Sequence, residues 1–159
     1  MSYNRFIMNL REFKSHLKPH TAILGFDYGD KRLGVAVSDL MRMIATAQKT
    51  IFRTNFKEDL AQIKKIITEK EIGGIIYGLP LQMNGEEGET AQKVRAFANK
   101  IYSEIPLPYT FWDERLSSRA MENFLIQKID MSRSKRKQVL DSSSASYILQ
   151  GALDALQYA

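Results

Sequence analysis

Nearly continuous apolar stretches alternate along this chain with stretches apolar on one helical face, and that alternation restricts the fold more than any single motif. Residues 21–26 are apolar enough for a strand buried on both faces, and Tyr28-Gly29-Asp30 supplies a turn into a returning strand at 33–38. A third strand is expected at 44–51. Leu60, Ile63, Ile66 and Ile67 mark a helix over 55–71, a buried strand follows at 73–77, and Ala91, Val94, Phe97, Ala98 and Ile101 give the next helix its core face. A strand at 109–112 precedes a helical remainder in two pieces, separated near 130–134, where Ser132 or Ser134 can cap the second. A hairpin region followed by two right-handed parallel crossovers is a three-layer α/β domain with a mixed sheet of about five strands.

Phe6, Leu10, Phe13 and Leu17 recur at helical spacing until Pro19, so residues 1–20 read as an N-terminal extension with a short amphipathic helix, and residues 21–159 as the domain. A chain of 159 residues, 44% hydrophobic and 26% charged, fits one compact core with one active site. The longest apolar runs fall short of the ~20 residues a membrane-spanning helix needs, and the first twenty residues lack the apolar core of a secretory signal. A cytoplasmic protein is expected. The absence of Cys excludes disulfides, thiolate zinc sites and a cysteine nucleophile. Both histidines, His16 and His20, lie in the extension, so chemistry in the body of the chain depends on carboxylates, hydroxyls, cations or a bound metal.

Ligands of open α/β sheets gather beyond the carboxyl ends of the parallel strands. There the first strand delivers Asp27-Tyr28-Gly29 and the last Asp113-Glu114-Arg115. Asp27 alone also reads as a turn residue, and Asp113-Glu114-Arg115 as a solvated strand end with its own ion pair; their shared location favours function. Asp141 heads a helical stripe that continues through Ala145, Ile148, Ala152 and Leu156. A buried carboxylate there calls for a cation, either a salt-bridge partner or a metal. Three carboxylates from two strands and a C-terminal helix can surround one or two hard cations, Mg²⁺ or Mn²⁺, and such ions catalyse in-line phosphoryl displacement without His or Cys.

A net charge of +5 favours an anionic partner. Arg133, Lys135, Arg136 and Lys137 sit at an expected helix start, where cations oppose the macrodipole unless an anion binds; a solvated charge cluster is the competing reading. Lys31, Arg32 and Arg115 add cations near the rim that can position phosphates. Tyr28 is a candidate for stacking on a base, and Trp112 is expected in the core.

Several ordered stretches resemble one family. They are Phe26-Asp27-Tyr28-Gly29-Asp30-Lys31-Arg32-Leu33-Gly34-Val35-Ala36-Val37-Ser38-Asp39, then Gly78-Leu79-Pro80-Leu81 with Asn84-Gly85, then Asp113-Glu114-Arg115-Leu116-Ser117, and the stretch from Lys137 through Asp141 to Ile148-Leu149-Gln150. Together they are similar to the YqgF family, also called RuvX, over roughly residues 21 to 156. The resemblance implies a ribonuclease H-like fold related to Holliday-junction resolvases. It also implies a nuclease maturing the 5′ end of precursor 16S rRNA, with Asp27, Glu114 and Asp141 as its acidic residues. Ser118 and Ser144 stand where the family commonly has Thr and Ala, and residues 1–20 extend beyond its usual start.

The expected partner is therefore nucleic acid, precursor rRNA ahead of branched DNA, with ribosomal particles as the setting and a monomer or homodimer as the working unit. A resolvase acting on branched DNA and a non-catalytic RNA-binding assembly factor are the alternatives. An actin-like ATPase or sugar kinase shares an Asp-x-Gly turn after its first strand, but needs two such domains where this chain has room for one.

Overall fold

The computed structural model describes residues 9–114 and 144–159. In chain order the described elements are α1 (Leu10–His16), β1 (Ala22–Tyr28), β2 (Arg32–Ser38), β3 (Ala45–Ala47), β4 (Ile51–Phe52), α2 (Phe56–Glu69), β5 (Ile72–Leu79), α3 (Glu89–Glu104), β6 (Tyr109–Asp113) and α4 (Ser144–Leu156). The sheet runs β3-β2-β1-β5-β6, with β4 also paired to β2. Pairings of β1 with β2, and of β2 with β3 and β4, are antiparallel, whereas β1–β5 and β5–β6 are parallel. This is the mixed sheet expected from the alternating patterns, with five strands along its path and a sixth, β4, beside β3.

The strand expected at 44–51 is two strands. Ala36 pairs with Ala47, but Leu33 pairs with Ile51, so three steps along β2 are matched by four on the partner. One extra residue cannot be absorbed by a continuous ladder, and the strand breaks at a bulge-like offset between β3 and β4. Gln48 N–H still donates to Val35 O at 2.8 Å across the break.

Strand side chains alternate between faces, and each face is covered. Leu24, Phe26, Leu33, Val35, Ile75 and Tyr77 pack with Leu60 and Ile63 of α2 and with Val94, Phe97 and Ile101 of α3. On the other face Ile23, Ala36 and Ile76 pack with Phe13 of α1 and with Ala145, Leu149, Ala152 and Leu153 of α4. The stripe Ala145, Ile148, Ala152, Leu156 is buried throughout, as its spacing requires. Helices on both faces give the three layers.

Helix α1 is built into this second face. Asn9 caps it, its side-chain oxygen accepting from Glu12 N–H at 2.9 Å. Phe13 is fully buried, and Lys14 Nζ donates to Leu156 O at 3.0 Å, capping the C-terminal end of α4. The first helix thus braces the last.

Candidate active site

The same alternation decides where the acidic side chains point. Ile23, Gly25 and Asp27 of β1, Gly34 and Ala36 of β2, and Ile76 and Gly78 of β5 all belong to the face covered by α4. Asp27 pairs with Gly34, and Gly78 pairs with Trp112, two residues before Glu114. A Cβ built on Gly34 would stand 3.2 Å from Asp27 Cβ and 3.5 Å from Ala145 Cβ. On Gly78 it would stand 2.8 Å from Glu114 Oε1 and 2.6 Å from Ile148 Cδ1. These two glycines therefore leave the room in which α4 and both carboxylates meet. Glycine inside a strand commonly marks such a close approach, and that signal was present in the sequence at both positions.

Asp27 and Glu114 are hydrogen-bonded to each other although they come from strands separated by β5. Desolvation raises the pKa of Asp27, with the hydrogen bond to Glu114 acting in the opposite direction. Glu114 is pushed up to about 7, first by desolvation, then by the charge of Asp27, by their hydrogen bond and by the charge of Asp113. Like charges held together in a half-buried place cannot both ionise freely, so the pair shares a proton near neutral pH. Such a pair is an all-oxygen donor set suited to a hard divalent cation. Among the described residues no group of three or more acidic, His or Cys side chains converges on one metal position. The third expected ligand, Asp141, lies outside the described residues.

The β1–β2 turn holds two of the expected cations. Arg53 Nη1 donates to Gly29 O at 3.0 Å, and Arg53 N–H donates to Lys31 O at 2.9 Å. Arg53 is itself fixed by buried Asp59 at 3.3 Å and lies over the Tyr28 and Phe97 rings. On the other side of the turn Lys93 pairs with Asp30 at 3.2 Å. The backbone at the turn is thus pinned while the side chains of Lys31 and Arg32 remain exposed. Arg32 lies two residues from Gly34 on the strand face that carries Asp27.

Arg115, Arg133, Lys135, Arg136 and Lys137 lie outside the described residues. The half-buried Tyr28 ring packs on Phe97 with centroids 5.1 Å apart, against the core of the face opposite Asp27 and not on the face of the carboxylates. Trp112 packs against the α1/α4 core, as expected. Sequence reasoning passed over Arg53, whose role depends on a distant loop carbonyl and an aromatic pair that no local pattern announces.

The family model described as "RuvX: Holliday junction resolvase" matches residues 21–155. The chain belongs to the RuvX family. A relative from Cereibacter sphaeroides, described as "Putative pre-16S rRNA nuclease", is 47% identical over 149 residues, covering 94% of this chain and 92% of its own. One from Ruegeria pomeroyi with the same description is 46% identical over 148 residues, covering 93% and 96%. These matches take in residues ahead of the RuvX match as well, where α1 lies. The structure of Thermus thermophilus RuvC is similar with a TM-score of 0.50 and 11% identity, covering 87% of this chain and 95% of that one. At that identity the likeness concerns the fold, and it agrees with the ribonuclease H-like architecture expected for a RuvX chain. No helix among the described residues is long and apolar enough to cross a membrane.

Proposed function

We propose that this RuvX chain is a cytoplasmic nuclease that hydrolyses phosphodiester bonds in maturing the 5′ end of pre-16S rRNA, with Asp27, Glu114 and Asp141 holding Mg²⁺ or Mn²⁺. The observation that carries the proposal is the Asp27–Glu114 pair, on one sheet face at the carboxyl ends of parallel strands. The names of the relatives supply the substrate class, and the net positive charge agrees with it. Asp141 precedes Ser144 by three residues, a chain distance of at most about 11 Å, and α4 begins over Gly34, the residue paired with Asp27. Connectivity thus allows the third carboxylate to reach the pair.

Divalent ions held by such a set activate a water and stabilise the leaving oxygen of an in-line displacement. The protein's own part is to fix the donors. Gly34 and Gly78 admit the two carboxylates beneath α4. Lys31 and Arg32 meet phosphates from the pinned turn, and Arg115, Arg133, Lys135, Arg136 and Lys137 extend those contacts along the strand. The nuclease domain in this reading is residues 21–159, preceded by an extension at 1–20 whose helix α1 braces α4.

The test is to incubate purified protein with labelled precursor 16S rRNA and with four-way DNA junctions, each with Mg²⁺, Mn²⁺ or EDTA. Metal-dependent cleavage of the rRNA near its 5′ end is the expected result. Cleavage of the junction in preference to the rRNA would favour the activity in the family's description. Binding of rRNA without cleavage under any metal would leave a non-catalytic assembly factor.

A further inference from the structure

Beyond the carboxylates, the same sheet face carries an aromatic ring that the core does not use. Phe52 of β4 is 60% exposed, whereas its neighbour Ile51 is buried against Leu33. Phe52 pairs directly with Arg32, so the two side chains share a face, and the Arg32 guanidinium lies 5.6 Å from the centre of the Phe52 ring. That face is the one bearing Gly34, Asp27 and Glu114. Counting two strand spacings across and two residues along, Phe52 is roughly 12 Å from Asp27, a span of a few nucleotides. Among the described residues no carboxylate pairs with Arg32, and Lys31, next to Arg32, and Lys49, three residues before Phe52, are exposed.

We infer that Phe52 and Arg32 form a base-stacking subsite for a single-stranded segment of the nucleic-acid substrate, with Phe52 taking the base and Arg32 the adjoining phosphate. A π-face beside a cation is the pairing that single-strand binders use, because every base can stack and every linkage carries a negative charge. At β4 the core is filled by Ile51 and not by Phe52. Stacked bases of an intact duplex do not offer a free π-face, so the subsite selects unpaired strand. The inference rests on the nuclease reading above.

Binding is measured in EDTA, so that no cleavage intervenes, by fluorescence anisotropy with a labelled oligoadenylate RNA and with the same strand made abasic. Phe52→Ala is expected to weaken binding of the base-bearing strand by roughly 5- to 150-fold, the range for loss of one stacked base, and to leave the abasic strand unchanged. Phe52→Tyr restores the affinity, which separates stacking from any effect on folding. Arg32→Ala lowers the log–log salt slope by about 0.7 for both strands. Equal effects of Phe52→Ala on both strands, or no effect on either, would overturn the subsite. If wild-type protein binds with a salt-dependent affinity in that case, the nuclease reading stands without it; if wild-type protein binds neither strand at any salt, both fall.

Discussion

Replacing Glu114 by Gln isolates the electrostatic cost of the carboxylate pair. In the metal-free protein the Glu114 carboxyl titrates near 7 instead of its ordinary 4.5, so between those values the native state binds more protons than the unfolded chain. Stability is then highest below about pH 4.5 and falls as pH rises through 7, because the slope follows the excess of protons bound by the native state. Displacing a pKa over that interval corresponds to at most about 3.5 kcal/mol at ~1.4 kcal/mol per pH unit. The side chain is half-buried, and solvent screening reduces the figure to about 1–2 kcal/mol. Glu114→Gln removes the charge and keeps the shape, so at pH 7.5 in EDTA the variant should exceed wild type by about 1–2 kcal/mol, roughly 2–8 °C in Tm for a chain of this size. At pH 4.5 the two should agree. Calorimetric melting of both proteins at several pH values between 4.5 and 8 measures the difference directly, with contributions from groups outside the Asp27–Glu114 pair cancelling in the comparison. A variant less stable than wild type at pH 7.5, or a difference that does not change with pH, would make Glu114 a partner in an ordinary stabilising contact.

Gly78→Ala places a methyl group 2.8 Å from Glu114 Oε1 and 2.6 Å from Ile148 Cδ1; it should cost about 1–3 kcal/mol of stability and reduce cleavage by more than Gly25→Ala, whose nearest contacts are with Leu149, as turnover normalised to folded protein will show. Phe13→Ala should lower the stability of the whole domain by about 3–5 kcal/mol, because Phe13 is fully buried against the α4 face; a urea midpoint close to wild type would detach α1 from the core. Arg53→Ala leaves buried Asp59 without its cation and releases the Gly29 carbonyl from the Arg53 side chain, so unfolding free energy should fall by about 3 kcal/mol and nucleic-acid affinity should fall with it. Unchanged affinity at matched folded fraction would separate Arg53 from the positioning of Lys31 and Arg32.

The elements that could be read from the sequence are those whose patterns are local. Residues 21–26 and 73–77 are apolar on both faces and became the central strands β1 and β5, and the helical stripes of Leu60 and Ile63 and of Val94, Phe97 and Ile101 became the covering faces of α2 and α3. Asp27 and Glu114 were found because strand ends are predictable even when contacts are not, and the structure brings that pair together. What escaped depends on registration between distant strands. The split of the strand at 44–51 arises from a one-residue mismatch against β2, which neither segment reveals by itself. The identity of the shared face likewise appears only when Gly34 is set opposite Asp27 and Gly78 beside Trp112. Tyr28, considered as a base contact, lies on the face opposite Asp27 and packs on Phe97, because adjacent strand residues point to opposite sides.

The proposed role of Asp27 as a ligand of the metal used in cleavage is checked by single-turnover cleavage of precursor 16S rRNA with saturating Mg²⁺, comparing wild type with Asp27→Asn at matched RNA occupancy. The variant should cleave at least about 100-fold more slowly, on the order of 3 kcal/mol of lost transition-state stabilisation, with a metal-free melting temperature no lower than that of wild type. Cleavage by Asp27→Asn within a few-fold of the wild-type rate would exclude Asp27 as an essential ligand.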